Sequence, residues 1–347
     1  MKVVYTPGHA RHESMTGVEW GVTVGSFERP MRAEVIRATL AADARFEIVA
    51  PQDYGRQPID AVHDPRLVDF LERAWRDFQV IRPQREVYPD SFLHPALRER
   101  MAPAPEPSGV AAALGYWCFE TNTPLSEGSY LAARGAVDVA LSTLDIVSAG
   151  ERVAYGLCRP PGHHAPRAAY GGFCFFNNAA IVAHAHAAAT GTKVTVLDVD
   201  YHHGNGTQQI FYERDDVQYV SLHGDPHRAY PYFAGHVDEI GAGPGRHHNL
   251  NVPLPARTDD DSYLVHLTRV CEKIAAFGPS MLVISLGVDT YELDPISDLA
   301  LTTAGMKRLG AQVGDLGLPT VVLQEGGYHM GDLGANVLAW LEGLGRI

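Results

Sequence analysis

The sequence predicts an open, mostly parallel β-sheet flanked by helices and folded as one domain, with its active site at the carboxyl ends of the strands. Three observations carry this. Short apolar runs alternate with longer amphipathic ones, the α/β pattern. Four of the apolar runs stop at clusters of polar residues. The 347 residues are 46% hydrophobic, enough to bury one sizeable core.

The first run, residues 2–6, reads as a strand and not as a signal peptide. Residues 31–42 follow as a helix, and a second helix, 65–78, starts at Pro65 behind Asp64, where proline suits a first turn. From 82 to 126 the alternation breaks. Pro83, Pro89, Pro95, Pro103, Pro105, Pro107 and Pro124 fall here, and no periodicity is sustained. A loop of that length inside a domain usually serves as a lid or an interface. Tyr116, Trp117 and Phe119 call for burial, which argues against a disordered linker. Beyond it come helix 129–148, strand 152–158, helix 178–189 and strands 194–200 and 217–222. Helix 262–277, strand 281–286, helix 303–313 and strand 320–324 complete the series, with no internal repeat.

A formal net charge of −13 argues against nonspecific nucleic-acid binding and suits a cationic small-molecule partner. No apolar run reaches the length of a membrane span. Cys118, Cys158, Cys174 and Cys271 form no CxxC pair, so neither a disulfide framework nor a structural zinc site is indicated. A reducing, cytoplasmic setting fits them.

The four polar clusters are where chemistry is expected, because ligands of a parallel sheet bind beyond the carboxyl ends of its strands. Strand 152–158 leads into Arg159-Pro160-Pro161-Gly162-His163-His164, and 194–200 into Tyr201-His202-His203-Gly204. Strand 281–286 leads into Gly287-Val288-Asp289-Thr290, and 320–324 into Glu325-Gly326-Gly327-Tyr328. Asp200 and His202, two apart, project to one side of an extended segment. With Asp289 they would make three ligands for Zn²⁺ and leave a position open for water. Read alone, Asp198 and Asp200 are equally well loop acids beside surface histidines; four converging clusters favour the metal. His184 and His186 do not share a helix face and read as structural, and His247-His248 as an exposed loop.

These motifs, with Gly171-Gly-Phe-Cys-Phe-Phe-Asn-Asn178 and Asp198-Val-Asp-Tyr-His-His-Gly-Asn-Gly-Thr-Gln208, resemble the histone deacetylase family. Within it the likeness is greatest to bacterial acetylpolyamine amidohydrolases, through Phe27-Glu-Arg-Pro-Met-Arg-Ala-Glu34, Gly115-Tyr-Trp-Cys118 and the 82–126 insertion. The resemblance implies an arginase/deacetylase-like fold and removal of an acetyl group from a small acylated amine, with protein acetyl-lysine as the alternative substrate. It implies Asp200, His202 and Asp289 as ligands of one Zn²⁺ (or Fe²⁺). His164 becomes general base and acid, His163 its electrostatic partner, and Tyr328 the donor to the substrate carbonyl. Asp198 would orient His163, and Asn205 would contact His164. A structural potassium ion is implied at Asp198, Ser221 and the backbone oxygens of Asp200, His202 and Leu222. Phe173 and Tyr230 fall where the family has tunnel walls, and Ile296 at the rim. Glu19 and Glu120 are the candidate acids at the mouth, and the insertion is expected to make a homodimer contact.

Two other classes are weaker. An arginase-type binuclear manganese site needs carboxylates where Gly204 and Gly287 stand. A noncatalytic acyl-amine binding module would have lost a ligand, a tandem histidine or the tyrosine, and none is lost.

Overall fold

The four runs that end in polar clusters lie side by side in the middle of the sheet. A computed structural model describes residues 1–19 and 21–346. Its strands are β1 (Lys2–Val4), β2 (Thr16–Glu19), β3 (Val22–Gly25), β4 (Glu47–Val49), β5 (Val153–Gly156), β6 (Val194–Asp198), β7 (Val217–Gly224), β8 (Asn249–Leu254), β9 (Met281–Leu286) and β10 (Thr320–Gln324). The helices are α1 (Pro30–Ala41), α2 (Gln57–Asp60), α3 (Pro65–Ile81), α4 (Val110–Trp117), α5 (Ser129–Ser148), α6 (Asn178–Thr190), α7 (Asn205–Phe211), α8 (Asp260–Phe277), α9 (Thr303–Gly314) and α10 (Leu333–Gly345). Eight strands form one sheet in the order β4-β1-β5-β10-β9-β6-β7-β8, every neighbour parallel, while β2 and β3 make a separate hairpin.

Strands β5, β6, β9 and β10 are buried along their whole length, as continuous apolar runs in a parallel sheet must be. Alternate side chains feed two cores. Val196, Val321 and Leu323 pack with α3, α5 and α6 on one face. Leu197, Val322 and Ile284 pack with α1, α8, α9 and α10 on the other. Side chains cap the helices the sheet needs: Asp64 for α3, Asn177 for α6, Asp259 for α8 and Thr302 for α9.

Several elements depart from the expectation. The stretch 82–126 is not structureless: it holds α4 and a 3₁₀ turn at Pro95–Arg98, and Trp117 is buried against the helical layer. Edge strand β8, the hairpin β2–β3 and helices α7 and α10 have no counterpart in the pattern read above. Helix α10 lies so close to α9 that a methyl group at Gly310 or Gly343 would strike the facing helix backbone.

Beneath the strand ends a buried carboxylate, Glu28, faces two buried guanidinium groups. It accepts from Arg32 at 3.0 Å and from Arg159 at 2.8 Å. Arg32 in turn donates to the carbonyls of Gly327 (2.7 Å) and Glu325 (2.6 Å), so the pair fixes the loop after β10. Removing one member of such a pair leaves unpaired charge in a dry interior. Glu28→Gln is expected to lower unfolding stability by about 3–5 kcal/mol, read as a reduced urea midpoint at unchanged slope.

Candidate active site

The loops that leave β5, β6, β9 and β10 meet at the carboxyl edge of the sheet. Asp200, His202 and Asp289 come together there, each offering one ligand atom within 4.8 Å of the others. His202 Nδ1 lies 3.2 Å from Asp200 Oδ1 and 3.1 Å from Asp289 Oδ2. Atoms bound about 2.0–2.1 Å from a tetrahedral ion stand about 3.3 Å apart, so this spacing fits a metal. The outer carboxylate oxygens are held by backbone: Gly326 N–H donates to Asp200 Oδ2 (2.7 Å) and Tyr201 N–H to Asp289 Oδ1 (2.8 Å).

The electrostatics also fit a cation. Burial, and then the charge of Asp200, push the Asp289 pKa up to about 7. Burial opposes ionisation of Asp200 too, but His163 and His202 outweigh it and hold that carboxyl below its usual range. Burial disfavours a charged His202, yet Asp200 and Asp289 push its pKa up to about 9. Crowded acids around one point are what a divalent ion relieves. Neither glycine that a binuclear site would replace with a carboxylate has room for a side chain. A side chain at Gly287 or Gly326 would collide with the Asp200 carboxylate, and one at Gly204 with Asp198.

The tandem histidines sit against this cluster with their rings 4.0 Å apart. His163 Nδ1 meets Asp198 Oδ2 at 3.0 Å, and Asp198 also accepts from Tyr219 at 3.0 Å. Burial lowers the His163 pKa, but Asp198, Asp200 and Glu325 override it and push it up to about 10. His164 Nδ1 meets Asn205 Oδ1 at 2.8 Å, while Asn205 Nδ2 donates to the His164 carbonyl at 3.3 Å. That second bond fixes the amide, so Nδ1 of His164 carries the hydrogen and Nε2 keeps its lone pair. Burial, with His163 and His202 beside it, drives the His164 pKa well below the ordinary histidine value.

All of this lies in a cavity of about 690 Å³ lined by Phe173, Tyr230, Ile296 and Tyr328, together with Phe27. Tyr230 stands 4.9 Å from the His164 ring, and Phe173 and Phe27 stand 6.0 and 6.3 Å from the Tyr328 ring. Phe173 adopts φ 67°, a left-handed conformation costly for a bulky residue and characteristic of functional loops. Its N–H donates to Thr123 Oγ1 at 2.7 Å.

Glu120 lines the cavity, but its carboxylate does not stand free at the mouth. It accepts from the Gly172 N–H at 3.0 Å and from the Asn122 N–H and the Thr123 hydroxyl, and burial raises its pKa. Its observed work is to tie the insertion to the loop that carries Phe173. The side chain of Glu19 lies outside the described residues. Asp198 and Ser221 are paired in register across β6 and β7, both buried, with Ser221 bonded to His223 Nδ1 at 2.8 Å. His184 contacts Arg214, His186 contacts Ser280, and His247 is exposed, all apart from the cluster.

Three residues that the sequence reading did not single out hold the site in shape. Asp294 accepts from the N–H groups of Tyr328 (2.7 Å), His329 (3.2 Å) and Ile296 (3.2 Å). Glu325 accepts from the N–H groups of Gly162 (2.6 Å) and His163 (3.2 Å) and from Ser285 (3.0 Å). Arg32 lies over the Tyr328 ring, 4.5 Å from its centre. The position of Glu325 directly after a buried strand was a usable signal; for Asp294 there was none.

A buried carboxylate–histidine cluster at the strand ends of such a sheet fits a metal-dependent hydrolase of amide bonds, and the chain belongs to the histone deacetylase family. The histone deacetylase domain matches residues 26–344. Among its relatives, acetylpolyamine amidohydrolase 1 of Pseudomonas aeruginosa is 40% identical over 313 residues, 90% of each chain. Acetylpolyamine amidohydrolase of Burkholderia pseudomallei is 39% identical over 348 residues, 100% of this chain and 99% of the relative. A crystal structure of acetylpolyamine aminohydrolase from Burkholderia pseudomallei superposes with a TM-score of 0.93 at 40% identity, over 99% of this chain and 98% of that one.

Two variants separate the roles read from this geometry. Asp289→Ala is expected to lose bound metal together with activity, by metal analysis of the purified protein. Tyr328→Phe should keep its metal and its substrate affinity while turnover falls by about 10² or more, the loss seen for an oxyanion donor; a near-normal rate would move the carbonyl contact elsewhere.

Proposed function

We propose that this hydrolase uses one zinc ion, with iron(II) as the alternative, to remove the acetyl group from acetylated polyamines or related small acyl amines. The observation that carries the reading is His164, its Nδ1 held by Asn205, beside the Asp200–His202–Asp289 cluster in the lining of an aromatic-walled cavity. Asp200, His202 and Asp289 would hold the ion, whose chemistry when bound is Lewis-acid activation of water and of the acyl oxygen. His164 takes the proton of the attacking water and returns one to the departing amine. Tyr328 donates its hydroxyl hydrogen to the oxyanion, and His163, kept protonated by Asp198, adds positive charge beside it. Phe173 and Tyr230 flank the methylene stem, Ile296 borders the opening, and together they exclude water.

Potassium at Asp198, Ser221 and the backbone oxygens of Asp200, His202 and Leu222 would stabilise the strand ends; the register of β6 and β7 supports this. Phe92, from the insertion, lines the cavity, which favours a slender amine over a protein surface as substrate. The relatives named acetylpolyamine amidohydrolases support the same choice. Four free, buried cysteines suit the reducing cytoplasm.

The insertion also exposes Leu93 (44%), Leu97 (71%) and Met101 (59%), apolar surface that a second copy would cover in a homodimer. Sedimentation at micromolar concentration checks this, with a clean monomer as the contrary result.

Net charge of −13 should draw cationic substrates by long-range attraction. Acetylputrescine is expected to outperform an uncharged acetylalkylamine of equal length, chiefly in KM, with the gap closing as salt rises. Equal cleavage of the neutral amide at low salt would remove the polyamine specificity and leave the deacetylase chemistry in place.

A further inference from the structure

Apart from the catalytic histidines, the cavity lining among the described residues carries two charged side chains, Glu120 and Arg228. Glu120 is committed to its own loop, as its bonds to Gly172, Asn122 and Thr123 show. Arg228 is not. Its guanidinium is 42% exposed, and its one charged partner among the described residues is Asp298, 37% exposed, with Nη1 3.3 Å from Oδ2. An ion pair so exposed and so long contributes little to stability. Most of the five donors of the guanidinium fork stay available, and that fork matches a carboxylate better than any other side chain does.

Both members of the pair are indexed to the reaction centre. Arg228 rides on the turn after β7, where its N–H and that of Ala229 both donate to the Asp225 carbonyl at 2.9 Å. Two residues on, Tyr230 packs 4.9 Å from His164. Asp298 lies two residues beyond the rim residue Ile296, and its Oδ1 accepts from Tyr201 at 3.0 Å. Tyr201 stands between two members of the metal-binding cluster and packs on His202, with ring centres 4.8 Å apart. Arg228 in the cavity lining and Asp298 beside it thus place a cation and an anion side by side, linked through Tyr230 and Tyr201 to the histidines of the site.

We infer that Arg228 and Asp298 form a subsite for a zwitterionic amino-acid head, so that the enzyme also deacetylates side-chain-acetylated free diamino acids such as Nε-acetyl-lysine and Nδ-acetylornithine. This rests on the amidohydrolase reading above and adds a substrate class to it. These compounds are acetylcadaverine and acetylputrescine with an α-carboxylate added, so the stem fits the same walls. The carboxylate meets Arg228 and the α-ammonium meets Asp298. The reaction is unchanged: the acyl C–N bond breaks, water supplies hydroxyl to the acyl carbon and a proton to the amine, and acetate and the free diamino acid leave.

The test is a set of kcat/KM values for three substrates of one stem length: Nε-acetyl-L-lysine, its α-carboxamide, and acetylcadaverine. In the metal-loaded wild-type enzyme acetyl-lysine should be cleaved at least as well as its carboxamide. Arg228→Ala should lower the acetyl-lysine to carboxamide ratio by about tenfold, through KM, and Arg228→Glu should lower it further. A ratio that Arg228→Ala leaves unchanged overturns the subsite, as does wild-type preference for the carboxamide. Cleavage of acetylcadaverine without acetyl-lysine overturns the subsite alone. Failure on all three substrates, with metal bound, overturns the amidohydrolase reading and the subsite with it.

Discussion

Everything at the strand ends follows from one constraint, that Asp198, Asp289 and Glu325 are all buried within reach of the charge of a fourth buried acid, Asp200. Water cannot pay for their ionisation there, so the fold must supply positive charge and donors. It does so locally: His163 against Asp198, His202 between Asp200 and Asp289, and backbone N–H groups of Gly326, Tyr201, Gly162 and His163 on the remaining oxygens. Glu325, left with donors but no direct cation, has its pKa pushed up to about 7 by burial. A metal ion held there would complete this arrangement.

Such crowding is feasible only where backbone can come close. Gly326 places its N–H on Asp200 because no side chain stands between them, and Gly287 lies against the same carboxylate. Gly287, with Gly204 against Asp198, also leaves no room for the extra carboxylates of a binuclear site. Farther out, the loop at Phe173 holds a left-handed conformation because Glu120 and Thr123 of the insertion bond its backbone on either side. The insertion therefore does more than cover the opening: it fixes one wall of the cavity.

The central sheet was legible because strands buried on both faces are continuous apolar runs, and their polar ends name the site. Strand β8 was not, because Asn249-Leu-Asn-Val-Pro-Leu254 alternates polar residues and contains Pro253, as an edge strand can. Helix α10 was hidden by glycines that lower helix propensity but let it settle onto α9. The ligand cluster and tandem histidines were readable from motif order. Asp294 was not, since it acts by accepting backbone hydrogens from a loop more than thirty residues away, a relation only the fold creates. Glu120 was placed near the cavity by its sequence position, but which donors its carboxylate would meet depended on how the insertion folds back.

Two adjacent histidines are pushed in opposite directions by their surroundings. His163 and His164 share burial and the strand end, but His163 faces Asp198, Asp200 and Glu325, whereas His164 lies beside His163 and His202 with its Nδ1 on an amide. A carboxylate, Asp198, raises the His163 pKa; an amide, Asn205, orients His164, whose pKa burial and the neighbouring imidazoles lower. The charge on His163 then lowers its neighbour's pKa further, so each ring's state supports the other's. A general base must be neutral before it accepts a proton, and a charge stabiliser must be charged throughout. On the proposed mechanism one loop would supply both, because the second partner is asparagine.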